Sequence, residues 1–312
     1  RNCEVSAYEI NAGGTSYTYK TLEYFRSRYP DAHFYLLVGA DMLKDFYSWK
    51  NPEQILENAD LAVCSREGEK LNFKAEQIRF FAKFKKTFKV LGYEGRDISS
   101  TKVRVLCAFG EDLKPYLAAD VIDYIEANEL YRVPYVKDAL RYLKPVRRKH
   151  SLRVALMAVS VAAKYKLAES TVVQAAALHD AAKNMEISAP ELQGCAIPNN
   201  VPSPVVHQYT GAYLAEKRFG VEDEDVLNAI RYHTSARPNM SVLEKIIFLA
   251  DMLEQGRSFP HVEELREWFY KDLNECMYRS LKHQIRYLKK SGGEIYPLTL
   301  HAYEYYKENR SR

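Results

Sequence analysis

Six residues in the second half of the chain have the types and spacing to bind metal. They are His150 in RKHSLRVA, His179 and Asp180 in AALHDAAKN, His207 in PVVHQYTGAYLA, His233 in IRYHTSARP and Asp251 in IIFLADMLEQGR. The steps from His150 through His179, His207 and His233 to Asp251 are 29, 28, 26 and 18 residues. At that spacing the groups come from different helices, as in a metal site built in a bundle core. Imidazole and carboxylate together suit a transition metal such as iron, manganese or zinc. Four histidines and two aspartates are more than one ion takes, and two ions sharing Asp180 as a bridge would use them all. Two metals roughly 3.5–4 Å apart favour in-line attack on phosphorus. A lone buried histidine is most often a hydrogen-bonded core residue, and the His-Asp dipeptide alone is weak. The specificity lies in the whole ordered set. Asp251 sits late in an apolar helix with no charged residue beside it in sequence; an unpaired buried carboxylate is costly, and a metal would relieve that cost.

Other polar groups stand near these ligands. Lys183 is one turn after His179 and could face phosphates, or be an exposed helix lysine. Arg257 follows Asp251 by six residues and could clamp a phosphate bidentately. Arg153 is one turn after His150, as a substrate contact or a solvated charge. Thr234 could donate its hydroxyl to phosphate or cap a helix end. The basic run KPVRRKHSLR (144–153) suits steering of a polyanion, although most charge runs are solvated faces.

The elements that must position these groups follow from the hydrophobic pattern. In the first half, the runs 33–40, 61–66 and 89–93 read as short strands, with helices over 51–59 and 118–130. Strands separated by helical patterns predict a parallel α/β sheet. From about residue 137 onward apolar residues recur at three- and four-residue steps. Helices are expected over 146–165, 169–184, 207–218, 222–233, 241–254, 261–290 and 296–309, with no strand. The boundary is expected near YRVPYVKD (131–138), giving domains over 1–134 and 137–312.

Bulk properties narrow the class. The chain has 312 residues, 47% hydrophobic and 28% charged, with a net charge of +4. That charge is too small to argue for nucleic-acid binding. Cys3, Cys64, Cys107, Cys195 and Cys276 form no CxxC pair, which reads as reduced thiols in a cytoplasmic protein. The longest apolar stretch, VALMAVSVAA, is about half a membrane span. No membrane or nucleic-acid partner is therefore expected.

The order H…HD…H…H…D is that of the HD-domain phosphohydrolases. KHSLRVA, ALHDAAK, GAYLAEKRFGVEDEDVLNAIRYHTSARPNMSVLEKIIFLADMLEQGR and YPLTLHAYEYY closely resemble bacterial HD-domain symmetrical bis(5'-nucleosyl)-tetraphosphatases, over nearly all of 137–312. The resemblance implies cleavage of diadenosine tetraphosphate into two ADP at a centre of two divalent transition-metal ions, iron or alternatively manganese. It implies that His150, His179, Asp180 and Asp251 hold one ion and that Asp180, His207 and His233 hold the other. Catalytic roles fall to Asp180, Lys183 and Arg257, and substrate contacts to Arg153, Thr234 and Arg257. Two departures bear on substrate fit: Gln255 stands where the family tends to have proline, and Gln208-Tyr209 follows His207.

In the first half, residues 13–68 and ISSTKVRVLCAFGEDLKPYLAADVIDYIEANELY (98–131) resemble nicotinate mononucleotide adenylyltransferases. Read physically, ISSTKVR places hydroxyls and backbone N–H groups at a helix start, a ready phosphate site. The resemblance implies ATP-phosphate contacts from Ser99, Ser100, Thr101 and Arg104. It implies a nicotinate pocket at Tyr17, Thr18, Trp49 and Arg66, and an adenosine side at Gly39 and Asp41. The family's opening G-x-F-x-P-x-H-x-G-H motif is absent here, so this half is expected to be N-terminally incomplete and inactive, either as a fragment of a longer fusion or as a decayed transferase. ATP and nicotinate mononucleotide are partners only if the missing segment is present.

The expected fold is thus a partial Rossmann-like α/β nucleotidyltransferase domain followed by an all-α HD bundle; a homodimer is one assembly the sequence allows. The expected function is metal-dependent hydrolysis of a dinucleoside polyphosphate. The alternatives are HD hydrolysis of another nucleotide, nicotinate mononucleotide adenylylation in a full-length fusion, and a non-catalytic metal-stabilised module.

Overall fold

A computed structural model describes residues 3–66, 71–95 and 98–310. The side chains of Arg66 and of residues 93–95 also lie outside the described set. The chain forms two compact units, Arg1–Ile98 and Ser99–Arg312. The division falls before the boundary expected at 131–138, because the helix Ser100–Phe109 buries Val105, Ala108 and Phe109 in the core of the second unit.

The first unit carries α1 (Tyr8–Ala12), α2 (Thr18–Arg28), β1 (Tyr35–Gly39), α3 (Ala40–Asp45), α4 (Pro52–Asn58), β2 (Asp60–Arg66), α5 (Phe73–Phe84) and β3 (Lys89–Gly95). The strands form a parallel sheet in the order β1-β2-β3, with Leu36 opposite Leu61 and Val38 opposite Val63. Parallel strands need crossover helices, and α4 and α5 supply them. Pro52 opens α4, where its missing N–H costs nothing. Asn72 caps α5 by accepting the Ala75 N–H at 3.2 Å. Phe46, Ile55, Leu61, Val63 and Phe80 are fully buried between sheet and helices.

The second unit is helical: α6 (Ser100–Phe109), α7 (Ala119–Ala127), α8 (Val136–Arg141), α9 (Pro145–Ala162), α10 (Glu169–Leu178), α11 (Val206–Lys217), α12 (Glu224–Arg231), α13 (Val242–Leu253), α14 (Val262–Lys271), α15 (Leu273–Ser291) and α16 (Pro297–Glu308). None of the described helices is long and apolar enough to cross a membrane. Helix α13 is the central element, with Ile246, Ile247, Leu249 and Ala250 buried on its several faces. A capping box holds its start: the Ser241 hydroxyl accepts the Glu244 N–H at 3.1 Å, and Glu244 accepts the Ser241 N–H. Arg237 donates two hydrogen bonds to the buried Glu244 carboxylate, at 2.7 and 2.6 Å. Leaving that carboxylate unpaired would cost about 3–5 kcal/mol.

Two expected helices end early. The run 261–290 is broken at Asp272, whose extended backbone and side chain cap α15 through the Asn274 and Glu275 N–H groups. The run 169–184 stops at Leu178, so His179 and Asp180 occupy the turn beyond α10 rather than its interior.

Candidate metal centre

Five helices deliver the six groups to one place in the second unit. His150 lies in the first half of α9, His207 in the first turn of α11 and Asp251 near the end of α13. His179 and Asp180 follow α10, and His233 follows α12. The donor atoms of His150, His179 and Asp251 all lie within 4.8 Å of one another, as do those of His179, Asp180 and His233. His179 thus belongs to both triplets, a sharing that the expected division of ligands did not contain.

Asp180 is buried, and its two oxygens face different imidazoles. Oδ1 lies 3.3 Å from His207 Nε2 and 3.6 Å from His233 Nε2. Oδ2 lies 3.7 Å from His179 Nε2 and 4.0 Å from His150 Nε2. Oδ2 also accepts from Arg147 at 2.9 Å. Burial disfavours the Asp180 carboxylate, but the surrounding imidazoles of His179, His207 and His233 outweigh it and hold the carboxyl well below its usual range.

The outer ring nitrogens explain why these residues fit a cation. His179 Nδ1 donates to the Ala176 carbonyl and His233 Nδ1 to the Ile230 carbonyl, each at 2.7 Å. His150 Nδ1 faces Glu254 Oε1 at 3.0 Å. Each bond assigns the proton to Nδ1 and leaves a lone pair on Nε2, the arrangement of metal-ligating histidines. His179 Nε2 is buried with no hydrogen-bond partner among the described residues. His150 Nε2 approaches Asp251 Oδ1 to 2.9 Å without hydrogen-bond alignment. Lone pairs facing carboxylate oxygens in a buried site repel unless a cation lies between them. Burial also pushes the His179 and His207 imidazoles down to about 4, which keeps them neutral near pH 7.

The remaining expected residues fall around this cluster. Lys183 Nζ lies 2.9 Å from His207 Nε2 and 4.0 Å from Asp180 Oδ1, and burial lowers its pKa. Thr234 Oγ1 lies 3.1 Å from His207 Nε2. Arg257 donates to Asp251 Oδ1 at 2.7 Å and to the Asp251 carbonyl at 2.9 Å. Asp251 therefore has a cationic partner, contrary to the reading from its sequence neighbours, which looked no further than the helix. Arg153 pairs with both oxygens of Glu254. Gln208 is buried and ties α11 to the turn after His233, with Nε2 donating to Ser235 Oγ at 3.0 Å and Oε1 accepting the Ser235 N–H at 3.1 Å. Tyr209 meets Tyr296 at 3.1 Å between hydroxyls, and Gln255 is exposed.

Two participants escaped the sequence reading, Arg147 and Glu254. Both were signalled by helical spacing, three residues before His150 and three after Asp251. Burial raises the Glu254 carboxyl, but hydrogen bonds from Arg153, the Gly256 N–H and His150 bring it down to about 2. A Cβ at Gly256 would lie 2.5 Å from Arg153 Nη2, so a larger residue there would have to push that guanidinium away from Glu254.

The transferase-like residues are divided between the units. In the first, Thr18 opens α2, Tyr17 precedes it, Gly39 ends β1 and Asp41 lies in the first turn of α3. Trp49 packs on Phe46 with ring centroids 5.3 Å apart. The Arg66 side chain lies outside the described residues. In the second unit, Ser99 caps α6 by accepting the Lys102 N–H at 3.1 Å, and Ser100 and Thr101 begin that helix. Arg104 is engaged by Glu169 at 2.8 and 2.7 Å.

A small parallel sheet with helices, followed by a helical unit holding a His/Asp cluster, defines a nucleotidyltransferase-like part joined to an HD domain. The HD domain model matches residues 147–256 and the cytidylyltransferase-like model residues 2–106. A "Probable nicotinate-nucleotide adenylyltransferase/Ap4A hydrolase" of Mycoplasma genitalium is 30% identical over 82% of this chain and 69% of that protein. The "Bis(5'-nucleosyl)-tetraphosphatase, symmetrical" of Halalkalibacterium halodurans is 40% identical over 53% of this chain and 93% of its own length. A solved "predicted HD superfamily hydrolase involved in NAD metabolism" from Clostridium acetobutylicum superposes with a TM-score of 0.52 at 37% identity, covering 56% of this chain and 96% of that one. The chain belongs to the family of nicotinate-nucleotide adenylyltransferase/Ap4A hydrolase fusion proteins.

Proposed function

We propose that the helical unit hydrolyses diadenosine tetraphosphate to two ADP, using two divalent transition-metal ions, iron or manganese. One observation carries the reading: the buried Asp180 turns each carboxylate oxygen toward a different pair of imidazoles. The names of the tetraphosphatase relatives support the substrate. His150, His179, Asp180 and Asp251 would hold one ion, and Asp180, His207 and His233 the other. When bound, such ions supply a water of lowered pKa and neutralise charge on phosphorus oxygens.

The protein's own groups do the rest. Asp180 and Asp251 bring negative charge to the ligand shell. The Nδ1 partners of His150, His179 and His233 hold those rings in the binding tautomer. Lys183, Arg147 and Arg257 surround the cluster with positive charge, suited to a polyphosphate chain.

The test is product analysis. Chain loaded with manganese or iron, given diadenosine tetraphosphate, should yield ADP alone by ion-exchange chromatography. AMP plus ATP would overturn symmetrical cleavage, and no product would overturn the hydrolase reading.

A further inference from the structure

The turn before α14, the middle of α15 and the segment after α16 enclose a concavity of about 340 Å³ that none of the six candidate metal ligands lines. That is within the usual range of small-ligand pockets, about 300–1,000 Å³. Arg279, Lys282, Arg286 and Arg310 line it against one carboxylate, Glu264. Arg279 takes up that carboxylate at 2.6 Å and the Glu275 carboxylate at 2.7 Å. Among the described residues no carboxylate pairs with Lys282, Arg286 or Arg310.

Helical spacing explains the convergence. Arg279, Lys282 and Arg286 stand at i, i+3 and i+7 of α15 and so share one face. Lys282 and Arg286 are like charges one turn apart, which destabilises a helix. Lys282 is also half-buried, where a charge without an acidic partner is costlier still. Its Nζ donates to the neutral Tyr278 hydroxyl at 3.3 Å, and the Arg310 guanidinium lies 4.6 Å from the centre of the same ring. The hydrogen bond from Lys282, with the charges of Lys282 and Arg310, lowers the Tyr278 hydroxyl pKa. Burial, with the neighbouring His261 and Arg286, lowers the His283 imidazole. Both groups line the concavity, and part of each shift is its positive field. A concave site that gathers like charges and leaves them unneutralised concentrates anions.

The donor chemistry narrows the anion. Guanidinium forks and an ammonium together match phosphoryl oxygens. The cations come from two elements and meet in one concavity, which suits a short, dense chain of phosphates rather than an extended nucleic-acid backbone. Tyr278 is buried and stacked on Tyr303 with ring centroids 5.7 Å apart, so its ring offers no open face to a base.

We propose that this concavity binds an oligophosphate, either a free chain or the phosphate chain of a nucleotide, through Lys282, Arg286 and Arg310, without metal and without reading a base. The proposal stands independently of the hydrolase reading above.

The experiment is calorimetric titration of the full chain with tripolyphosphate, once loaded with manganese and once stripped with a chelator, with circular dichroism as the fold control. One binding event should persist in the stripped chain, and added salt should weaken it. Lys282→Ala and Arg286→Ala should each weaken that event by roughly tenfold or more, the loss of one charge-assisted hydrogen bond. Arg218→Ala removes an exposed cation elsewhere in the unit and should leave the event unchanged. ATP in chelator should bind no more tightly than tripolyphosphate, whereas a base stacked on a ring would add roughly tenfold or more. The proposal is overturned by the absence of any event in the stripped chain, or by an event that survives both substitutions or falls equally with Arg218→Ala. Tighter binding of ATP would show that a base is read, and tighter binding of a single-stranded oligonucleotide would make the face a nucleic-acid surface; either result also overturns it. A binding event in the stripped chain, with no turnover of diadenosine tetraphosphate by the loaded one, would leave this site standing and sink the hydrolase reading alone.

Discussion

Asp180→Asn should lower turnover of diadenosine tetraphosphate by at least about a thousandfold, corresponding to about 4 kcal/mol of transition-state stabilisation. The substitution keeps the side chain's shape and removes its charge. Asparagine has one oxygen where Asp180 has two, and both are in use, one toward His207 and His233, the other toward His150 and His179. An amide NH₂ placed beside either pair would present hydrogens to lone pairs that need a cation. The fold should survive, because the side chain's volume is unchanged and α9, α10 and α13 keep their apolar contacts. Initial rates over a metal titration, with circular dichroism as the fold control, decide the matter. Turnover within tenfold of wild type would remove Asp180 from the site.

Glu254→Gln should weaken metal binding by about 10- to 100-fold, the usual effect of losing a group that orients a ligand. Glu254 touches no ion in this reading; it acts through His150, whose Nδ1 lies 3.0 Å from Oε1. Arg153 and the Gly256 N–H hold the carboxylate in place, and its position after α13 keeps it beside Asp251. A neutral amide accepts from His150 more weakly and can rotate to offer its NH₂ group instead, which favours the wrong imidazole tautomer. Manganese dissociation constants for the two chains, by calorimetric titration at one pH, are the readout. Equal constants would make Glu254 a purely structural partner of Arg153.

The helical half was largely legible in the sequence because its candidate ligands are of rare type and its helices obey one period. The convergence of all six groups could be anticipated from their order alone. Less legible was anything set by where a helix stops. Asp180 could not be placed from its own neighbourhood, since the alanines around it continue the helical pattern past Leu178, where α10 ends. The same holds for Asp272, a cap hidden inside an amphipathic run. Arg257 reaches Asp251 only because the chain turns back after α13, a consequence of loop geometry that periodicity does not encode. Arg147 looked like one more charge in a basic run, yet its helical register with His150 turns it onto Asp180. In the first half the strands were clear from short apolar runs, whereas α2, α5 and α6 are amphipathic over lengths that mix with loop-like polar residues.

The most direct measurement is the metal content of the chain. Protein stripped with a chelator, dialysed against manganese or anaerobically against iron, and analysed by atomic emission should retain two ions per chain. The Asp180→Asn chain, treated in parallel, should retain neither. A wild-type chain that holds one ion or none, or an Asp180→Asn chain that keeps both, would contradict a two-metal centre bridged by Asp180.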